Sequence, residues 1–201
     1  MSKRICVFGD SIAWGADDPK GGWAARLQSF FWENWEKGLD YELYNLGICG
    51  DSTKDLLARF DNEAEARKPD IIIFAIGIND ARFSDSKDKP EMPLQDFTKN
   101  IIHLIKKAGK FSEKIIFIGL TEVDESKTMS AEWDFHYSNE MIEKYDKVIK
   151  DVCLEKEIPF LEIKDALSKA DLPDGLHPDS AGHEKMFLLI KDFLTKKIIK
   201  Q

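Results

Sequence analysis

Short apolar runs recur along the chain and are separated by longer segments with helical patterning. Five runs stand out, at residues 4–9, 41–47, 70–77, 114–119 and 158–163. Several of them are uniformly apolar and lack the alternation of a half-exposed strand, which is typical of parallel strands covered on both faces. The pattern therefore predicts five strands in a buried parallel sheet.

Apolar side chains at helical spacing fill the segments between these runs. One stripe extends from Trp23 to Trp35, and another follows Pro93, a residue well suited to a first helical turn. Ser52 and Asp55 match a capping box that starts a further helix. In total, helices are predicted over residues 23–35, 52–69, 93–109, 133–156 and 180–200.

Strand and helix thus alternate along the whole chain. This order implies an α/β fold with right-handed crossovers, in which a five-stranded parallel sheet forms the middle layer of a three-layer α/β/α sandwich. A length of 201 residues is typical of one domain, and we predict a single domain over 1–201. In such a fold, the functional site is expected beyond the carboxyl ends of the strands.

Composition and charge narrow the class of protein. Hydrophobic residues make up 43% and charged residues 33% of the chain, as in a soluble globular protein. The formal charge of −8 would repel a nucleic-acid backbone or an anionic membrane. Neither a membrane span nor a secretory signal is visible in the sequence. We therefore expect a cytoplasmic protein with a small-molecule partner, either a monomer or a homo-oligomer.

The three cysteines, Cys6, Cys49 and Cys153, are an odd number at unrelated spacings. This pattern favours neither a disulfide framework nor a zinc site and fits a reducing cytoplasm. Cys6 and Cys153 are expected in the core, because free cysteine is among the most buried residue types. Cys49 precedes Gly50 and is a candidate neighbour of the functional site.

The first candidate catalytic residues lie beyond the ends of the first and last predicted strands. Ser11 follows the first strand, and Asp174 and His177 follow the fifth. A serine hydroxyl becomes a good nucleophile only when a nearby base accepts its proton. Because Asp174 and His177 are three residues apart, one tight turn can place the carboxylate beside the imidazole. We predict Ser11 as the nucleophile, His177 as the base and Asp174 as its orienting partner.

Two more candidates follow the second and third strands, at Gly50 and Asn79. An acyl-transfer site needs fixed donors for the negative oxygen that forms during attack. We assign this oxyanion hole to the backbone N–H groups of Ser11 and Gly50 and to the side-chain amide of Asn79. Each motif alone is common in turns, and it is their shared placement at strand ends that indicates a common site.

The candidate residues lie in four sequence blocks, residues 9–11 (GDS), 45–52 (NLGICGDS), 77–80 (GIND) and 174–178 (DGLHP). These blocks resemble the GDSL family of esterases and lipases, also called the SGNH hydrolases. The resemblance implies a flavodoxin-like sandwich, hydrolysis of esters without a metal or organic cofactor, and the roles given above for Ser11, Gly50, Asn79, Asp174 and His177. Ile12 stands where the family name has leucine, which concerns local packing only.

Other classes of protein fit the sequence less well. The nucleophile elbow of α/β-hydrolases needs a second glycine, and residue 13 is alanine. A magnesium- or phosphate-binding signalling module, with Asp10 and Asp80 as ligands, is the main alternative. It would leave Gly50, Asn79 and the Asp174–His177 pair unexplained, and we expect Asp10 and Asp80 to brace turns instead. A non-catalytic binding relative is the third candidate.

Two irregular loops are expected to shape substrate selection. Residues 81–92 are polar and charged, which favours small or polar esters over long lipids. Residues 121–132 lead to an aromatic cluster of Trp133, Phe135, His136 and Tyr137. This cluster either lines an acyl or leaving-group pocket or is a helix entry packed on the sheet, and we favour the second interpretation.

Overall fold

The computed structural model describes residues 2–84, 86–87, 89–130 and 134–199. Its central layer is a sheet of five strands, β1 (Lys3–Gly9), β2 (Tyr41–Gly47), β3 (Ile71–Ala75), β4 (Ile115–Ile118) and β5 (Phe160–Leu161). All neighbouring strands are parallel, in the order β2-β1-β3-β4-β5. The predicted five-stranded parallel sheet is confirmed. The fifth strand is shorter than predicted because it pairs with β4 at only two positions on the sheet edge.

Helices cover both faces of this sheet. They are α1 (Ser11–Trp14), α2 (Gly22–Glu33), α3 (Thr53–Arg67), α4 (Leu94–Ala108), α5 (Glu125–Thr128), α6 (Asn139–Glu155) and α7 (Ser180–Phe193). The helix α2 packs against α1 and α7, whereas α4 packs between α3 and α6. Within the described ranges, none of these helices has the length and apolarity that a membrane crossing needs.

A row of phenylalanines crosses the sheet and anchors α3. Phe8, Phe74 and Phe117 lie in register on β1, β3 and β4. The ring of Phe60 on α3 lies 4.7 Å from that of Phe8 and 5.6 Å from that of Phe74, measured between centroids. All four rings are fully buried, and each such burial contributes about 1.5–3 kcal/mol to folding. This packing fixes the position of α3 over the centre of the sheet.

The predicted helix over 133–156 is wrong at its start. The helix α6 begins at Asn139, where the Ser138 side chain accepts a hydrogen bond from the Met141 amide. Over residues 134–137, before this cap, the chain is not helical, and His136 pairs with Phe83 in an antiparallel bridge. The backbone N–H and C=O groups of His136 thus form hydrogen bonds with the loop that contains Phe83, and they take no part in a helix. Trp133, which the prediction included, lies outside the described residues.

Three helix ends also differ from expectation. Pro93 precedes α4 as its cap, because its ψ of 137° is extended and not helical. The helix α2 ends at Glu33, and Trp35 lies in a separate 3-10 turn with 60% of its surface exposed. The last helix, predicted to residue 200, passes at Phe193 into a π-helical turn over Leu194–Ile198. The capping box of Ser52 and Asp55 at the start of α3 is confirmed.

The three cysteines are free thiols. Cys6 and Cys153 are buried in the core, as predicted, whereas Cys49 is exposed in the loop after β2. That loop lies at the carboxyl edge of the sheet, where the candidate catalytic residues also meet.

Candidate active site

Ser11 lies directly beyond the carboxyl end of β1, as the first residue of α1. The turn is stabilised by Asp10, whose Oδ1 accepts a hydrogen bond from the Ile12 amide at 3.0 Å. Burial raises the pKa of Asp10 to about 7. Because strand, cap and helix start are all buried, the backbone at Ser11 is held in one place while its hydroxyl faces the site.

The structure brings Ser11, His177 and Asp174 together. Nε2 of His177 lies 2.9 Å from Oγ of Ser11, although the two residues are 166 positions apart. The other ring nitrogen, Nδ1, lies 2.6 Å from Oδ2 of Asp174. The imidazole is thus bonded at both nitrogens, to the hydroxyl on one side and the carboxylate on the other. This is the geometry that base activation of a serine requires.

A short turn orients the Asp174 carboxylate. Its Oδ1 accepts hydrogen bonds from the amides of Leu176 and His177, both at 2.8 Å, which leaves Oδ2 facing the ring. Burial acts to raise the pKa of Asp174, but the hydrogen bonds from the His177 ring and from the two amides outweigh it and hold the pKa below its ordinary value. The carboxylate is therefore ionised when the site works near neutral pH.

The turn that carries Asp174 is supported from the segment around α5. Lys127 donates hydrogen bonds from Nζ to the carbonyls of Leu172, at 2.8 Å, and Pro173, at 3.0 Å. Gly175 has a φ of +96°, and a Cβ at this position would lie 2.8 Å from the Lys127 side chain. Glycine is thus needed here both for its backbone conformation and for the close approach of α5.

A second carboxylate faces His177. Asp17 Oδ2 lies 4.0 Å from Nδ1, and Asp17 has a left-handed backbone with a φ of +61°. Burial acts to lower the pKa of His177, but the hydrogen bond and charge of Asp174, followed by the charges of Asp17 and Asp10, raise it above its ordinary value. Asp17, Asp174 and His177 also offer one potential metal-ligand atom each within 4.8 Å of one another.

Asn79 is fixed in the site by two hydrogen bonds. Its Nδ2 donates to the carbonyl of Asp51 at 3.0 Å, and its Oδ1 accepts from the hydroxyl of Tyr137 at 2.8 Å. Because the carbonyl of Asp51 can only accept, the atom that faces it must be Nδ2, which determines the amide orientation and leaves the second hydrogen on Nδ2 for a ligand. The contact with Tyr137 corrects our interpretation of the aromatic cluster, because this residue positions a site residue.

Gly50 lies in the exposed turn between Asp51 and β2. Its φ is +83°, and a Cβ built at this position would meet no atom within 4 Å, so the turn opens towards solvent. Among the described residues, no hydrogen bond occupies the amide of Gly50. Ser11 is a first helical residue, whose amide has no acceptor within its own helix. Both amides are thus suited to bind a ligand oxygen.

Asp80 connects the turn of Asn79 to the start of α3. Its carboxylate accepts hydrogen bonds from the Thr53 amide, at 2.9 Å, and from the Thr53 hydroxyl, at 2.6 Å. Asn100 on α4 donates to the same hydroxyl at 3.0 Å. Asp80 is fully buried, which raises its pKa to about 6. Asp80 thus has the bracing role that we expected. However, it joins the turn of Asn79 to the start of α3 and does not act within its own turn.

The sheet order and the placement of this site at the carboxyl edge are those of an SGNH hydrolase. The sequence model of the GDSL-like lipase/acylhydrolase family matches residues 7–185, and the chain belongs to this family. The sequence-based prediction of a GDSL-type ester hydrolase is therefore confirmed for the family, the fold and the enzyme class.

Several known proteins similar to this chain are esterases. Esterase TesA of Pseudomonas aeruginosa is 26% identical over 191 residues, which span 92% of this chain and 84% of that protein. Acetylxylan esterase of Geobacillus stearothermophilus is 28% identical over 172 residues, or 79% of this chain and 73% of that protein. The crystal structure of the lipase/acylhydrolase from Enterococcus faecalis matches the fold with a TM-score of 0.79, at 24% identity over 96% of this chain and 95% of that chain.

Proposed function

We propose that this chain hydrolyses carboxylic esters through an acyl-serine intermediate on Ser11. The observation that supports this proposal is the continuous line of contacts from Asp174 through His177 to the Ser11 hydroxyl. His177 acts as the base, and Asp174 holds it in the tautomer whose Nε2 can accept a proton. The amides of Ser11 and Gly50 and Nδ2 of Asn79 form the oxyanion hole.

In the first half of the reaction, Ser11 Oγ attacks the acyl carbon while its proton moves to Nε2 of His177. The carbonyl oxygen becomes an anion and is stabilised by the three donors. The tetrahedral intermediate then collapses, the bond to the alcohol breaks, and the alcohol leaves with the proton from Nε2. Asp174 stabilises the imidazolium that exists between these two proton transfers, and the acyl group remains on Ser11.

In the second half, water enters in place of the alcohol. Nε2 of His177 accepts a proton from this water as its oxygen attacks the acyl carbon, and the same three donors stabilise the second oxyanion. When the bond to Oγ breaks, the proton passes from His177 to Ser11. The carboxylic acid leaves and the free hydroxyl is restored. His177 thus accepts and returns one proton in each half of the reaction, and the enzyme ends in its starting protonation state.

For the substrate, we propose small or polar acyl esters. The segment that follows Asn79 carries an ion pair between Arg82 and Glu91, and the Arg82 guanidinium lies 4.0 Å from the centroid of the Phe135 ring. Such a charged wall offers little apolar area to a long acyl chain. Turnover of p-nitrophenyl acetate is expected to exceed that of the palmitate ester, and the reverse order would contradict this assignment.

For the domain organisation and the cellular compartment, we propose what the sequence predicts. We propose one catalytic domain over 1–201 that acts in the cytoplasm, and three unbridged cysteines fit a reducing compartment. The magnesium-binding alternative loses its support because Asp10 and Asp80 both bind backbone amides and both have pKa values raised by burial. Both carboxylates are thus already engaged in bracing turns, which disfavours a role as magnesium ligands.

The proposal is tested by covalent labelling. A fluorophosphonate probe is expected to modify the wild-type protein at Ser11, identified by mass spectrometry of the labelled peptide. The Ser11→Ala variant should bind no probe and should lose hydrolysis of p-nitrophenyl acetate. Labelling at another residue, or an active Ser11→Ala variant, would contradict the assignment. The Ser29→Ala variant, which removes an exposed serine hydroxyl on α2, is the matched control and should behave as wild type.

A further inference from the structure

Arg59 on α3 contacts two of the segments that carry the proposed oxyanion donors. Its Nη2 donates to the carbonyl of Gly9 at 3.1 Å, and its Nε donates to Oδ2 of Asp51 at 2.7 Å. Gly9 ends β1 two residues before Ser11, and Asp51 directly follows Gly50. One guanidinium thus joins the backbone that leads to Ser11 and the turn that contains Gly50.

The third donor is connected to the same arginine through one further bond. Nδ2 of Asn79 donates to the carbonyl of Asp51, whose carboxylate Arg59 holds. The next residue, Asp80, is bonded to Thr53 at the start of the same helix. All three donor segments are therefore tied to α3, which the phenylalanine cluster fixes on the sheet.

The side chain of Arg59 is suited to this task. It is 16% exposed, so its bonds are largely shielded from water, and its Nη1 reaches Glu63 one helical turn away at 3.2 Å. A guanidinium presents five donors in a rigid plane, which lets one side chain hold a carbonyl and a carboxylate at a fixed separation. Lysine has the same charge but one nitrogen, and it cannot hold both acceptors in this geometry.

We propose that Arg59 is a positioning residue that sets the spacing of the three oxyanion donors by holding Gly9 and Asp51 in one frame. The inference rests on the proposed function. It concerns transition-state stabilisation, because donors must lie within about 0.2 Å of their ideal distance from the oxyanion, and small displacements in a catalytic site have large kinetic effects. Substrate binding and the acid-base pair, which Arg59 does not touch, should be unaffected.

The first test is the Arg59→Lys variant. Its kcat for p-nitrophenyl acetate should fall by about 10- to 100-fold while KM stays within about twofold of wild type. The affinity for a small alkylboronic acid, which adds to Ser11 as a tetrahedral adduct, should fall by the same factor as kcat/KM. The acid limb of the pH profile should not move, because the Ser11, His177 and Asp174 contacts are intact.

The matched control is Glu63→Gln, which removes the negative charge of the third partner of Arg59 and leaves the bonds of Arg59 to Gly9 and Asp51. This variant should keep kcat and boronate affinity within about twofold of wild type. Wild-type kcat and boronate affinity in Arg59→Lys would overturn the inference. Equal losses in Arg59→Lys and Glu63→Gln would also overturn it, since they would indicate a general effect of the ion pair on stability.

Asp51→Asn provides a second route if Arg59→Lys does not fold. It leaves Arg59 in place and weakens only the charge-assisted bond to the turn of Gly50, so kcat should fall by about tenfold. A fully active Asp51→Asn variant would overturn the inference. These outcomes differ from failure of the proposed function, which would be visible in the wild-type protein as absence of probe labelling at Ser11 and would remove this inference with it.

Discussion

The two halves of the candidate site are built in different ways. The acid-base half is local, because Asp174 bonds to Leu176 and to the amide and ring of His177 within one turn. The oxyanion half is assembled from distant segments. Its amide donor at Asn79 is fixed by Asp51, 28 positions away, and by Tyr137, 58 positions away.

This contrast predicts which half of the site should tolerate sequence change better. A local turn keeps its geometry wherever the loop is attached, and a few contacts from one neighbouring segment, made by Lys127 and by the Asp124 amide, support it from outside. The three oxyanion donors lie on separate segments after three strands, and no single turn holds them in place. Their spacing depends on every contact between the segments, and a single lost hydrogen bond should therefore affect catalysis without touching substrate. The following variants test this contrast, from the largest expected effect to the smallest.

Asp174→Asn should abolish the function of the acid-base half of the site. An amide at this position would donate to Nδ1 of His177, which favours the tautomer with a protonated Nε2 that cannot accept the Ser11 proton. We expect kcat to fall by about 10⁴-fold with p-nitrophenyl acetate. Thermal unfolding monitored by circular dichroism should show a folded variant. A loss of less than about tenfold would contradict the role given to Asp174.

Asn79→Ala should disable the long-range half more mildly. Removal of one oxyanion donor typically lowers kcat by about 10²- to 10³-fold, with little change in KM. Asn79→Asp is the sharper companion, because it keeps the shape of the side chain but replaces the donor with a negative charge. Its kcat should be lower than that of Asn79→Ala, and equal or higher activity would show that Asn79 does not face the oxyanion.

Tyr137→Phe should test whether Asn79 needs its distant partner. The change removes the hydroxyl that bonds to Oδ1 and leaves the buried ring in place. A hydrogen bond contributes about 1 kcal/mol, so kcat should fall by about tenfold or less. In the Asn79→Ala background the same change should have no further effect on kcat. Additive losses in this double-mutant cycle would indicate that Tyr137 acts elsewhere.

Asp17→Asn should give the smallest effect, a shift in pH dependence. His177 must be neutral to accept a proton, so kcat/KM rises with pH through its pKa. The charge of Asp17 raises that pKa, and its removal should move the acid limb to lower pH by less than about one unit, most clearly at low salt. Asp174 and Asp10, the other charges facing the ring, stay in place. Asp40→Asn, at the opposite edge of the sheet, should leave the limb unchanged.

Much of the fold and of the candidate site could be predicted because the signals are local. Uniform apolar runs such as residues 70–77 indicate buried parallel strands, and the carboxyl ends of such strands share one edge. The strand ends therefore predict one edge as the location of five residues, Ser11, Gly50, Asn79, Asp174 and His177. The three-residue spacing of Asp174 and His177 also anticipated their contact.

The residues that fix the oxyanion half could not be predicted in the same way. Arg59 is one of many charged residues on a helix surface, and nothing local distinguishes it from an ordinary partner of Glu63. The aromatic pattern around Tyr137 favours a helix entry, whereas its bond to Asn79 occurs next to an antiparallel bridge between two loops. Contacts between loops have no sequence period, so only the structure reveals them.

The sequence distance between Ser11 and His177 has a consequence for biosynthesis. A ribosome adds about 5–20 residues per second, so the hydroxyl leaves the exit tunnel on the order of ten seconds before the imidazole does. During that interval the nascent chain carries the serine without the imidazole that we propose as its proton acceptor. With these roles, ester turnover would require residues 174–177 to have docked against α1, which would make it an assay of folding up to that segment.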